Sequence, residues 1–83
     1  MNVTVKYFAG IREAIGCASE QRSTTAASLG ALRDELIALG GAYAEALARG
    51  KAVRLAQNQV MAHESAALTE GAEVAFFPPV TGG

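Results

Sequence analysis

Asn2, Thr4 and Lys6 alternate with Val3, Val5 and Tyr7 over residues 2–8. A period of two puts the apolar set on one face, so the spacing predicts a half-buried strand, with Gly10 as its end. Residues 11–15, Ile-Arg-Glu-Ala-Ile, read as one or two helical turns stopped by Gly16. Residues 20–23 read as a short polar strand paired back on the first. The best helix covers residues 28–39, where Leu29, Leu32, Leu36 and Leu39 share one face and Ile37 widens the stripe. Ser28 is placed to cap its N-terminus. Ala31 stands where a capping box needs Glu or Gln. Gly30 weakens the first turn, and Gly40-Gly41 supplies the stop.

Further along, residues 43–48 form a candidate helical turn that Gly50 breaks. Residues 52–57 and 60–62 read as two short strands. Asn58-Gln59 joins them, since Asn tolerates the left-handed backbone of tight hairpins. Glu70-Gly71 is a second turn. Residues 73–77, Glu-Val-Ala-Phe-Phe, are the last strand, ended by Pro78-Pro79 because neither proline can donate a ladder hydrogen bond. The order strand, short helix, strand, long helix, short strands, final strand makes an α+β chain. One main helix packs across a small mixed sheet, which matches a β-grasp layout.

Size and charge narrow the function. Of the 83 residues 51% are hydrophobic, but 18 of those are Ala, so one compact core is possible and two are not. Seven basic against eight acidic residues give a net charge of −1, scattered singly. Without a clustered basic face, no nucleic-acid partner is expected. The longest apolar runs are four residues, residues 36–39 and 74–77, against the about 20 needed to span a membrane. The N-terminus lacks a signal peptide's apolar segment. Cys17 has no second cysteine to pair with, so a reducing cytoplasm is the expected compartment.

Internal candidates for chemistry are weak. His63 is the single histidine and cannot build a zinc site alone. Cys17 has no base or cation beside it in sequence to make it nucleophilic. Glu13, Glu20, Glu35 and Glu70 fall on separate elements and do not pair for acid–base work. The C-terminal segment is different. Pro78-Pro79-Val80-Thr81-Gly82-Gly83 follows an apolar strand directly. The prolines stiffen it, and six residues reach about 20 Å. Gly82 and Gly83 have no side chains, so they can enter a narrow channel in another protein. A terminal carboxyl is an anion at neutral pH and a poor electrophile. It needs activation, for which an acyl-adenylate is the natural route. A sulfur nucleophile then gives a thiocarboxylate, and an amine gives an amide.

The segment Glu73-Val74-Ala75-Phe76-Phe77-Pro78-Pro79-Val80-Thr81-Gly82-Gly83 resembles the final strand and tail of the small, sulfur-carrying subunits of molybdopterin synthase, a ubiquitin-like family. Tyr7-Phe8-Ala9, Ile11-Arg12-Glu13, Ala31-Leu32-Arg33, Gly50-Lys51, Asn58-Gln59 and Leu68-Thr69-Glu70-Gly71 support it in order. The chain departs from the family pattern at Gly30, at Arg54 and over residues 62–67. The resemblance implies a β-grasp domain over residues 1–77 and an extended tail over 78–83. It implies that a ubiquitin-activating-like adenylyltransferase uses ATP to adenylate Gly83, which becomes a thiocarboxylate. The tail then threads into the large subunit of molybdopterin synthase and gives sulfur to cyclic pyranopterin monophosphate. The family's assembly is a heterotetramer of two small and two large subunits, and the carrier holds no cofactor and no catalytic side chain of its own.

Within the last strand, Val74 and Phe76 share one side, Ala75 and Phe77 the other. If the long helix covers the first pair, Phe77 faces out. With Met61 it then makes a partner patch leading into Pro78, Pro79, Val80, Thr81 and Gly82. The competing reading packs Phe77 under the tail. Two other roles for Gly83 stay open: sulfur carriage for thiamine thiazole or cysteine synthesis, and amide transfer by a protein modifier.

Overall fold

The computed structural model describes residues 1–79. Strand β1 (Asn2–Tyr7) leads into helix α1 (Ala9–Ile15), strand β2 (Ser19–Ser23), helix α2 (Leu29–Ile37) and helix α3 (Gly41–Ala46). Strands β3 (Arg54–Gln57), β4 (Val60–Ala62) and β5 (Glu73–Phe77) follow. They make one five-stranded sheet in the order β2-β1-β5-β3-β4. β1 and β5 run parallel at the centre, and the other neighbours are antiparallel. A parallel pair cannot be joined by a hairpin, and the intervening helices supply the crossover. The result is the expected α+β mixed sheet.

The period-two reading of β1 holds residue by residue, since Val3, Val5 and Tyr7 are all buried. They join Val74 and Phe76 of β5, Leu55 of β3 and Leu29, Leu32 and Leu36 of α2 in one core. Each such side chain contributes roughly 1.5–3 kcal/mol by leaving water. Tight turns fall where the sequence marked them. Gly16 closes α1 at φ 92°, and Asn58 and Gln59 both take positive φ, 52° and 68°, in the β3–β4 hairpin.

Two local readings are corrected. Gly10 does not end the strand; it lies inside α1, which starts at Ala9. Leu39 does not extend the α2 stripe and is 49% exposed. The helix ends at Ile37, and the Leu39 and Gly40 amides bond three residues back, to Leu36 and Ile37. That tighter turn rotates Leu39 off the buried face. Ser28 caps α2 as expected, its hydroxyl accepting from the Ala31 amide at 3.1 Å.

A buried cation holds the helical layer together. Arg33 is 3% exposed. Its guanidinium donates to the carbonyls of Leu47 (2.9 Å), Ala48 (2.8 Å) and Lys51 (3.1 Å) and to the Glu64 carboxylate (3.0 Å). These carbonyls follow α3; those of Ala48 and Lys51 also accept the Lys51 and Val53 amides, while the Leu47 carbonyl has Arg33 alone among the described residues. Gly30 completes the clasp: its amide donates to the Glu64 carbonyl at 2.8 Å. A Cβ there would sit 3.1 Å from the Glu64 Cβ, so the glycine that weakens the helix lets the Glu64 loop close on it.

Candidate functional site

Helices cover one face of the sheet. The other face carries Thr4 and Lys6 of β1, Glu73, Ala75 and Phe77 of β5, Arg54 and Ala56 of β3, and Met61 of β4, by strand parity and register. Ala56 and Ala75 sit side by side at its middle and are buried without a helix above them. Lys6 pairs with Glu73 at 3.3 Å, an exposed bridge of small worth.

The tail leaves from one corner of this face. Phe77 ends β5 half-buried, and its ring stacks on Phe8 with centroids 4.7 Å apart and planes 13° from parallel. Phe8 reaches that position because the chain turns sharply after it. Its amide donates to the Phe76 carbonyl at 3.2 Å, and Ala9 takes a left-handed φ of 49° before α1. A non-glycine residue there costs about 1–2 kcal/mol. The stacked pair, Met61, Pro78 and Pro79 line a cleft of about 570 Å³ with Arg54 on its wall. Met61 is 57% exposed.

The sequence-predicted partner residues therefore fall into two groups. Met61, Phe77, Pro78 and Pro79 come together around one cleft. Val80, Thr81, Gly82 and Gly83 lie outside the described residues. Phe77 is half-buried, with its ring stacked on Phe8. The sequence reading missed Phe8 as part of the patch, although strand parity already placed it opposite Tyr7 and on the side of Phe77.

The internal candidates have structural surroundings. The Glu20 carboxylate accepts from the hydroxyls of Tyr7 (2.7 Å) and Tyr43 (2.6 Å), with the Cys17 sulfur 4.0 Å away. The hydrogen bond to Glu20, followed by burial, pushes the Tyr43 hydroxyl up to about 12. Burial first, and the Glu20 charge second, push the Cys17 thiol up, the opposite of an activated nucleophile. His63 is exposed just beyond β4. Among the described residues no group of three His, Cys, Asp or Glu side chains is placed to hold a metal ion. None of their helices is long and apolar enough to cross a membrane.

An apolar cleft at the root of the C-terminal segment suits contact with another protein. Comparison with known proteins agrees in kind. A family model described as the ThiS family matches residues 5–83. The molybdopterin synthase sulfur carrier subunit of Escherichia coli is 40% identical over 81 residues, 98% of this chain and 99% of that protein. The crystal structure of SAMP1 from Haloferax volcanii superposes with a TM-score of 0.78 at 26% identity, covering all of both chains. A chain from the complex of subunits 1 and 2 of the Helicobacter pylori molybdopterin-converting factor superposes at 0.68, with 26% identity and full coverage of both.

Proposed function

The chain belongs to the ThiS family, and from that premise we propose that it is the sulfur-carrier subunit of a molybdopterin synthase. The observation that carries this reading is near full-length similarity to such a subunit, beside a family match that runs to Gly83.

Residues 1–77 act as a folded body and residues 78–83 as an arm of about 20 Å. A ubiquitin-activating-like adenylyltransferase lets the Gly83 carboxylate attack the α-phosphorus of ATP, and pyrophosphate leaves. A sulfur nucleophile then displaces AMP from the acyl-adenylate, which leaves a thiocarboxylate on Gly83. The body docks on the large subunit through Phe8, Met61 and Phe77, and the arm carries the sulfur to cyclic pyranopterin monophosphate. Two deliveries make the dithiolene. The body offers no acid–base pair for these steps, so the large subunit supplies the catalytic side chains in a heterotetramer of two carriers and two large subunits. Dependence on ATP and a free thiol at Cys17 fit the cytoplasm.

Reconstitution tests the reading. The Gly83 thiocarboxylate form, mixed with the large subunit and cyclic pyranopterin monophosphate, is expected to yield molybdopterin, and the Gly83-deleted chain none. Equal product from the deleted chain would sink the proposal. A second reading, amide transfer from the same activated carboxyl to lysines, draws on likeness to the small archaeal modifier SAMP1. A ladder of larger conjugates in cell extract, lost on Gly83 deletion, would favour it.

A further inference from the structure

We propose that Arg54 sets partner specificity on the docking face by pairing with a carboxylate of the large subunit, an inference that rests on the docking reading above. Arg54 opens β3 directly opposite Phe77 in register. Its exposed side chain lines the tail-root cleft and the adjoining groove of about 440 Å³ that holds His63. Arg22, Arg33 and Arg49 are each tied to a carboxylate of the chain. Arg54 has no ion-pair or hydrogen-bond partner among the described residues. The other cation of this face, Lys6, is matched by Glu73. The corner from which the tail leaves therefore carries one positive charge that no described residue compensates, amid Phe77, Met61 and two prolines.

Docking changes the situation of that charge. A partner that covers the cleft removes water from the guanidinium, and an unpaired buried cation is strongly unfavourable. A surface that presents a carboxylate at that point gains a charge-assisted, bidentate contact. A surface that presents only apolar groups is rejected. Arg54 thus discriminates by penalty as much as by attraction, while the aromatic pair supplies affinity to any apolar partner. The chain's own terminal carboxylate is the competing occupant. An arm that extends into a partner's pocket carries that carboxylate away from the cleft, which leaves the partner to supply the anion.

Titration calorimetry against the large subunit of the same organism, at low and high salt, tests this. Wild type, Arg54→Met, Arg54→Glu and Phe77→Ala are compared after each is shown to melt cooperatively. Arg54→Met is expected to weaken binding about tenfold at low salt and to flatten its salt dependence. Arg54→Glu is expected to weaken it further and to be rescued by an acidic-to-Lys change in the large subunit. Phe77→Ala is expected to weaken binding while leaving the salt dependence intact. If Phe77→Ala weakens binding and both Arg54 variants bind like wild type, the inference is overturned and the docking face stands. If Phe77→Ala also binds like wild type, the docking reading fails with it. An Arg54→Met chain that keeps its large-subunit affinity and loses only its adenylation rate would assign the guanidinium to the activating enzyme and overturn the inference.

Discussion

Arg33 and Arg54 put the same guanidinium in opposite settings, one in the helical layer and one on the bare face of the sheet. Arg33 is 3% exposed and satisfies four acceptors within the chain. Arg54 is exposed and satisfies none among the described residues. The helical side closes on itself: among the described residues its buried polar side chains are matched internally, and its buried apolar groups fill one core. The bare side leaves Met61, the Phe8–Phe77 pair and Arg54 facing outward around the start of the tail. With docking on the bare face as proposed, stability and recognition lie on different faces, and mutations on the two faces are expected to separate.

The largest effect is expected at Arg33. Arg33→Met takes a charged donor from four acceptors and leaves the Leu47 carbonyl with no other donor among the described residues, and is expected to lower stability in urea by about 3 kcal/mol. Large-subunit affinity of the folded fraction is expected to stay unchanged. An Arg33 variant that keeps its stability and loses binding would break the division of labour. Phe77→Ala is the converse. It is expected to cost about 2 kcal/mol of large-subunit binding, near thirtyfold, by calorimetry. Its stability loss is expected near 1 kcal/mol, from the lost stacking on Phe8.

Smaller effects sharpen the picture of the closed side. Alanine is the better helix former by up to about 1 kcal/mol, yet Gly30→Ala is expected to destabilise by about 1 kcal/mol. Glu64 cannot yield to the new Cβ because Arg33 and Arg49 both hold its carboxylate and its carbonyl accepts from Gly30. A more stable Gly30→Ala chain in denaturant titration would show that the Glu64 loop is free to move. The smallest effect is a pH dependence. Burial by itself raises the Glu35 carboxyl, but hydrogen bonds from Arg22 (2.7 Å) and Thr24 (2.7 Å) outweigh it and hold the group below its ordinary value. A depressed folded-state value gives stability that is present above the unfolded value and lost as pH falls through the folded one. Glu35→Gln is therefore expected to flatten the acid limb of a stability-versus-pH curve, read by thermal melts below the ordinary carboxylate range. An acid limb identical to wild type would refute that link.

Much of this architecture was legible in the pattern. Val3, Val5 and Tyr7 announced β1, the Leu29, Leu32 and Leu36 spacing announced α2, and Asn58-Gln59 announced its hairpin. What escaped had physical causes. Leu39 fits the helical period, but periodicity does not show where backbone bonding tightens and ends the helix. Gly10 reads as a breaker, yet nothing crowds it inside α1. Arg33 was not singled out as buried, although it lies four residues after Leu29 and three before Leu36, on the buried stripe. Its acceptors come from residues 47–51 and 64, which only the fold brings near. At the cleft, Phe77 followed from strand parity, and Met61 is the apolar hairpin residue expected beside it. Phe8 was missed because it sat at a strand end, and its partner Phe77 is distant in sequence.

The central claim is that Gly83 carries sulfur. The most direct test is the intact mass of the chain after incubation with ATP, an activating enzyme and a sulfur source. Replacement of one Gly83 carboxyl oxygen by sulfur is expected, abolished when Gly83 is deleted. An unchanged mass, with an enzyme that activates another carrier in parallel, would contradict it.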